Sequence, residues 1–398
     1  MALHFLTLEG PEKGRTILVQ PGKDFMMGRA HDAYYRLHDE SVSRYHCELQ
    51  LDGDHIKVTC NGGDGGTWVN GLKIQEYVLK AEDVLKIGHT RLQLKEGDGK
   101  EKPPEPPKRN PLLDLVGTKL SHFEVGKAIG AGELSLVFLA KDMKTNEKVA
   151  LRVLQPEFAM DDQKFQRFVT GMKTAMTLRH PNIVTTFSAG KAGSCCWMAM
   201  ERVEGENMMK VIRRVKDTGE SNWKTSFRMA VHISRALVYA HQHNIIHRTL
   251  HPKNIFLDAA TQTYKLGDLL SAKSPKEGAV DLVAQQSQLA GAMPYVSPEH
   301  TRDAGAVDAR SDLYCLGAVA YGVLTGQAPC DGASFNSQVN SIREKRPDPP
   351  TTINPGVPTL FEDMVLKLLA KKPKERYQTA AEALKEMERL AKCSGVKV

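Results

Sequence analysis

Residues 96–117, EGDGKEKPPEPPKRNPLLDLVG, set two Pro-Pro pairs within a run of glycine and charge. Proline fixes φ and lacks an amide donor, so neither a helix interior nor a central strand passes through such a run. The composition predicts a stiff, solvated spacer with polyproline-II tendency. The chain is therefore expected to fold as separate bodies: residues 1–95, the linker 96–117, residues 118–392, and a short tail over 393–398. With 398 residues in all, each body is long enough to bury its own core.

The two sides of the linker differ in pattern. Before it, HCELQLD (46–52), HIKVT (55–59) and RLQLK (91–95) alternate apolar and polar residues between Gly/Asp turns, which predicts an all-β sandwich. After it, FEVGKAIG, SLVFLAKDM and VALRVL read as strands. Helical periodicity then takes over: in SFRMAVHISRALVYAHQH, Met229, Ile233, Ala236, Leu237 and Ala240 share one face. Strands first and helices later predict a small β lobe on a larger α lobe, an α+β arrangement.

Composition narrows the function classes. No apolar run reaches the roughly 18 residues that span a bilayer. The opening MALHFLTLEGPEKGR has no basic start or long apolar centre of a signal peptide, so a cytoplasmic protein without a membrane span is expected. Seven cysteines without CxxC or Cys/His spacing read as reduced thiols and not as a metal cluster. Residues 1–95 hold 12 Lys and Arg against 13 Asp and Glu, and the rest 42 against 34. No dense basic run interleaves with aromatics, so no nucleic-acid partner is expected.

Three elements occur in order before the linker: MGRA (27–30), SVSRYH (41–46) and GTWVNG (66–71), followed by EDVLKIG (82–88). Together, on short strands, they make residues 1–95 resemble a forkhead-associated (FHA) domain. The resemblance implies a phosphothreonine-peptide site at the loops of one end. A phosphate near two negative charges needs a guanidinium fork and small donors. Arg29 can supply the fork, Ser43 a hydroxyl and Arg44 further positive charge, and the resemblance adds Asn70. His46 is expected to bond loop backbone beneath the site. Where the family has Ser/Thr then Asn, this chain has Asp64 and Gly65. Asp64 is expected to lie near Arg29 as an internal stand-in for phosphate, weakening peptide binding.

After the linker, HPNIV (180–184), MERVEG (200–205), IIHRTLHPKN (245–254), YVSPEH (295–300), DARSDLYCLG (308–317) and KERYQTAAE (374–382) follow one another. This series resembles the eukaryotic-type Ser/Thr protein kinases found in bacteria. The resemblance implies a bilobal kinase fold that uses ATP and Mg²⁺. Gly130 and Gly132 of GAGELSLV would cover the phosphates. Val137, Ala150 and Phe256 would sandwich adenine, and Glu201 and Val203 would lie in the hinge. Asn254 and Asp268 match the metal-binding positions. Glu299 and Arg376 match a buried ion pair, and Asp312 matches the acid that braces the catalytic loop.

The chemistry-bearing positions depart from that pattern. Arg152 stands where the family has lysine, and Gly171 where the following helix carries that lysine's glutamate partner. Thr249 replaces the catalytic aspartate and His251 the neighbouring lysine, while Ala292 replaces a substrate-side threonine. Threonine is no base near neutrality; His251 could titrate there but sits at another place in the loop. Leu269 and Leu270 follow Asp268 in place of Phe-Gly.

Losses at the catalytic positions beside intact pillars point to a pseudokinase. The chain is expected to be a signalling protein joining a phosphothreonine reader to a catalytically impaired Ser/Thr kinase fold. Its partners would be a phosphothreonine-containing protein and an active kinase that it regulates, with ATP and Mg²⁺ bound weakly or lost. The alternative is a weakly active ATP-dependent Ser/Thr kinase using Arg152, His251, Asn254 and Asp268. Transfer of AMP is a third reading.

Overall fold

The computed structural model describes all residues except 1–2, 20–23, 30–32, 40, 44–45, 53–54, 61–65, 97–109, 132–134, 157–161, 270–292, 303 and 333–334. It divides into two compact units, Met1–Asp114 and Leu115–Val398.

The first unit is built of short strands. In β1 (Leu3–Glu9) and β11 (Thr90–Glu96) alternate side chains turn inward, and the two pair antiparallel with Phe5 opposite Leu94. They belong to a sheet ordered β2-β1-β11-β10-β7-β8, with β2 at Thr16–Leu18, β7 at Thr67–Val69, β8 at Leu72–Ile74 and β10 at Val84–Ile87. A second sheet, β4-β3-β5-β6-β9, runs through Tyr35–Arg36, Asp24–Gly28, Cys47–Asp52, His55–Cys60 and Glu76–Leu79. Phe5, Ile17 and Leu92 of one sheet share a single buried cluster with Met27, Leu49 and Val58 of the other. The unit is thus the expected β-sandwich. Period-two burial is what permits it, because each sheet has one apolar face to close on the other.

The second unit opens with an antiparallel sheet ordered β12-β13-β14-β15-β17-β16. Its strands are β12 (Lys119–Leu120), β13 (Phe123–Ala131), β14 (Ser135–Asp142), β15 (Lys148–Leu154), β16 (Thr186–Ala192) and β17 (Cys195–Met200). Helix α1 (Asp162–Thr177) joins it through Phe168, which clusters with Leu154, Cys196 and Met198. A short sheet follows, made of β18 (Gly205–Asn207), β19 (Ile255–Asp258) and β20 (Tyr264–Leu266).

The helical part gathers α2 (Met208–Thr218), α3 (Trp223–Gln242), α4 (Ala309–Thr325), α5 (Phe335–Glu344), α6 (Thr359–Leu368) and α7 (Ala380–Ser394). All five residues read onto the inner face of α3 are buried. α4 is buried on every side from Ser311 to Thr325, as suits a helix apolar all round. A Cβ at Gly317 would fall 2.7 Å from Leu368 Cβ, so glycine allows α4 to pack closely on α6. At the start of α4, Asp308 and Ser311 form a reciprocal capping box that fixes where Asp312 points.

Two boundary expectations are corrected. The end of the spacer is not extended: Pro111–Leu115 forms a 3₁₀ turn, Leu112 is buried, and the Asn110 side chain accepts from the Leu112 amide at 3.0 Å. Residues 393–398 are not a free tail either. α7 runs to Ser394, Gly395 caps it in the left-handed conformation, and Val396 is buried in the helical core.

Candidate functional site

In the second unit the site is assembled by hydrogen bonds to one buried carboxylate. Asp312 accepts from the main-chain amides of His247 (2.9 Å) and Arg248 (2.8 Å), and from His241 Nε2 at 2.9 Å. Burial pushes its carboxyl up, but these donors, led by His241, hold it below its ordinary value. The loop is anchored again through His247 Nε2, which donates to the Gly267 carbonyl at 2.9 Å. Gly267 donates in turn to the Asn254 carbonyl at 2.8 Å, and Asn254 Nδ2 donates to the Thr249 carbonyl at 3.1 Å. Thr249, Asn254 and Asp268 are thereby carried on one braced backbone. His241 and His247 were not singled out by sequence reasoning, although His247 lies within the quoted loop and His241 just before it.

Arg152 enters from β15, paired with Val137 on β14 and Met198 on β17. Its Nη1 lies 2.6 Å from Asp268 Oδ1, with the two side chains only 17% and 28% exposed. Sequence reasoning left Arg152 without a partner and gave Asp268 to a metal. The ion pair gives Arg152 a partner that the sequence did not show, at the carboxylate the sequence reading assigned to metal. The physical reason is Gly171: the helix offers no acid at that position, and the guanidinium reaches across to Asp268. Burial pushes the Asp268 carboxyl up, yet the Arg152 charge and hydrogen bond, with His247 and His251, hold it below its ordinary value. Asp268 itself has φ +63°, a left-handed backbone.

A magnesium ion takes oxygen ligands in near-octahedral order. Asn254 Nδ2 is spent on the loop, which leaves its Oδ1 as an oxygen ligand, while the Asp268 carboxylate already pairs with a guanidinium. As they stand, Asn254 offers one oxygen and the other metal position, Asp268, faces the Arg152 guanidinium. Among the described residues, no group of three or more His, Cys, Asp or Glu side chains could hold a metal ion elsewhere.

His251 is corrected too. Its Nδ1 accepts from the Lys253 amide at 3.2 Å, capping the 3₁₀ turn Pro252–Asn254. Burial lowers its pKa to about 4, against the pull of Asp268 and with the push of Lys253 and His247. It is neutral at pH 7 and is no titrating substitute for lysine. The Thr249 hydroxyl oxygen is buried and has no hydrogen-bond partner among the described residues.

The residues that the resemblance assigns to adenine lie on β14, β15 and β19. Val137 and Phe256 are half-buried and Ala150 is 8% exposed, while Gly130 pairs with Val137 across the β13–β14 hairpin. Phe256 packs over Gly267, where a Cβ would fall 3.0 Å from its ring. Glu201 and Val203 lie in the unpaired connection between β17 and β18. The Glu201 carboxylate, however, accepts from Lys265 Nζ (2.6 Å) and the Thr185 amide (3.1 Å) and so braces this hinge. Gly132, Leu270 and Ala292 lie outside the described residues.

In the first unit, loops converge on His46, which is fully buried. Its Nδ1 accepts from the Ser43 amide (3.2 Å), its Nε2 donates to the Gly66 carbonyl (3.1 Å), and its own amide donates to Met27 (2.9 Å). Burial lowers its pKa, so this neutral tautomer persists. The Arg29 amide donates to the Ser43 carbonyl at 3.0 Å, which sets Arg29 and Ser43 side by side. A Cβ at Gly66 would fall 2.6 Å from Lys73 Cε and 3.3 Å from its Nζ, so Lys73 brings a positive charge that the sequence did not announce. Asn70 is corrected: at φ +50° it turns β7 into β8, donating to Asp83 (2.7 Å) and accepting from the Val84 amide (2.9 Å). Arg44, Asp64 and Gly65 lie outside the described residues.

Two family models match the chain: the protein kinase domain over residues 123–387, and the cytoplasmic domain of the inner membrane component of a type III secretion system over residues 6–98. Serine/threonine-protein kinase PknB of Mycobacterium tuberculosis is 35% identical over 272 residues, 67% of this chain and 42% of that protein. A probable serine/threonine-protein kinase of Clostridium perfringens is 31% identical over 286 residues, 71% of this chain and 40% of that one. The chain thus spans about two fifths of the length of these relatives. Among solved structures, the kinase domain of Mycobacterium tuberculosis PknI matches with a TM-score of 0.53 at 23% identity. That match covers 69% of this chain and 98% of that one, and it shows the shared fold.

Proposed function

The chain belongs to the protein kinase family, and from that premise we propose that it is a signalling protein whose kinase fold holds nucleotide without sustained phosphoryl transfer. The observation that supports this reading is the Arg152–Asp268 ion pair, which ties the cation at the family's lysine position to the acid at the metal position. Thr249 supplies no base, and neutral His251 supplies no charge to a phosphate. Adenine would sit between Val137, Ala150 and Phe256, with its phosphates toward Arg152. Such a domain acts by binding, as a scaffold or regulator of an active kinase. Millimolar ATP is expected to raise the melting temperature, since a ligand stabilises above its dissociation constant. No shift on heating and no calorimetric signal would leave a fold that binds partners alone.

The FHA-like unit supplies the second half of the reading, a site for phosphothreonine peptides. Arg29 and Ser43 stand side by side on His46, and Lys73 adds charge at the Gly66 loop. Arg29→Ala is expected to abolish binding to a phosphothreonine peptide library in calorimetry. Asp64→Ser is expected to strengthen it by about 1–3 kcal/mol, the range of one charge-assisted bond. Unchanged affinity in Asp64→Ser would mean that Asp64 does not stand in for phosphate.

A further inference from the structure

The Arg152–Asp268 pair is held from both ends. Arg152 sits on a strand paired on each side, and Asp268 follows a glycine whose amide is bonded to the Asn254 carbonyl. Neither partner has a ready escape: α1 offers Gly171 where an acid would draw Arg152 away. A compact, shielded ion pair of this kind is screened little by salt. A divalent cation approaching Asp268 would meet a positive charge already in place. The guanidinium is also not exhausted by the contact. It carries five N–H donors in a rigid fork, Nη1 serves Asp268, and the Nε atom is buried with no hydrogen-bond partner among the described residues. A buried donor without a partner is rare in a folded protein and suits an anionic oxygen.

We propose that this kinase fold binds a nucleoside di- or triphosphate without a divalent metal, with Arg152 as the fixed counter-ion where magnesium would otherwise sit. This rests on the nucleotide-binding reading above and adds how the phosphates are neutralised. Asp268 then serves to hold Arg152 in position, and Arg152 is the residue that touches the phosphates. Among the described residues, the other titratable groups facing Asp268 are His247, whose Nε2 is tied to the Gly267 carbonyl, and His251, which is neutral and adds no charge there.

The test titrates the full chain with ADP by calorimetry, in EDTA and in excess Mg²⁺. Wild type is expected to bind in both with affinities within about twofold, and R152M to lose about tenfold or more in EDTA. Wild-type binding only with Mg²⁺ present overturns the proposal, as does metal-free binding by R152M equal to wild type. A second arm uses Mn²⁺ alone, read by water-proton relaxation. Wild type is expected to give no enhancement, and R152M an enhancement that adding D268N removes. Enhancement in wild type that is lost in D268N overturns the proposal, and so does an R152M chain silent to Mn²⁺. No ADP heat in either buffer removes the nucleotide reading itself, while the Mn²⁺ arm still decides which cation Asp268 holds. Melting curves check that R152M folds, and R152Q takes its place where it does not.

Discussion

Incubation of the purified chain with radiolabelled ATP, Mg²⁺ and a generic protein substrate is expected to give no sustained phosphorylation. Kinases turn over at about 1–100 per second by clamping phosphates, holding magnesium and orienting the hydroxyl. Thr249 and Arg152 replace two of the residues that do this, and Asp268 pairs with Arg152. A general base is worth about 10²–10⁴-fold, and Thr249 is none. The clamp is altered as well, because Arg152 is committed to Asp268 and Gly171 offers no glutamate. Such losses act as a unit and do not add. Thr249→Asp alone is therefore expected to restore nothing measurable. Combining it with Arg152→Lys and Gly171→Glu frees Asp268 and rebuilds the clamp, and should raise transfer by at least about 10²-fold. Steady transfer by the wild-type chain that Asp268→Ala abolishes would instead establish the weakly active kinase.

The largest loss of stability is expected from Arg376→Met. Arg376 is wholly enclosed: Nη1 and Nη2 reach the Glu299 carboxylate at 2.6 and 2.9 Å, and its other donors meet the carbonyls of Ala370, Arg310 and Lys371. Ser311 donates to Glu299 as well, at 2.7 Å. Removing the arginine strands a buried carboxylate, which costs about 3–5 kcal/mol. Hydrogen exchange in Ala309–Thr325 reads this unit apart from the other; a loss under about 1 kcal/mol would contradict the account. The pair also sets acid behaviour. Burial pushes Glu299 up, but Arg376 and Ser311 bring its pKa down from 4.5 to about 2. The folded state therefore binds fewer protons than the unfolded chain between these values. The stability this contributes, about 3 kcal/mol, is complete above pH 4.5 and lost as pH falls through 2. Arg376→Met should lose that acid dependence.

How much of this was legible in the sequence follows from the range of the interactions. The α3 face through Met229 and Ala240 and the alternation in β11 are local patterns, and both were readable. The Glu299–Arg376 pair came with the family resemblance, and His46 came from its place after the Ser43 loop. Arg152 was read correctly as having lost its glutamate, but its new partner lies 116 residues on, at a position already assigned to metal. His251 was misjudged because neutrality is a consequence of burial, which a ring in a polar loop does not display. The partners of Asn70 and Glu201 were hidden for a related reason: their side chains serve Asp83, Val84, Lys265 and Thr185, and only the folded chain brings those together.

The reading of the kinase fold turns on whether Arg152 and Asp268 hold each other in solution. A double-mutant cycle of Arg152→Met and Asp268→Asn, read by denaturant unfolding of the full chain, measures this. The expected coupling is about 1.5–3 kcal/mol, the range for a hydrogen bond between charged groups in a shielded site. Additivity to within about 0.5 kcal/mol would contradict it and return Asp268 to the metal.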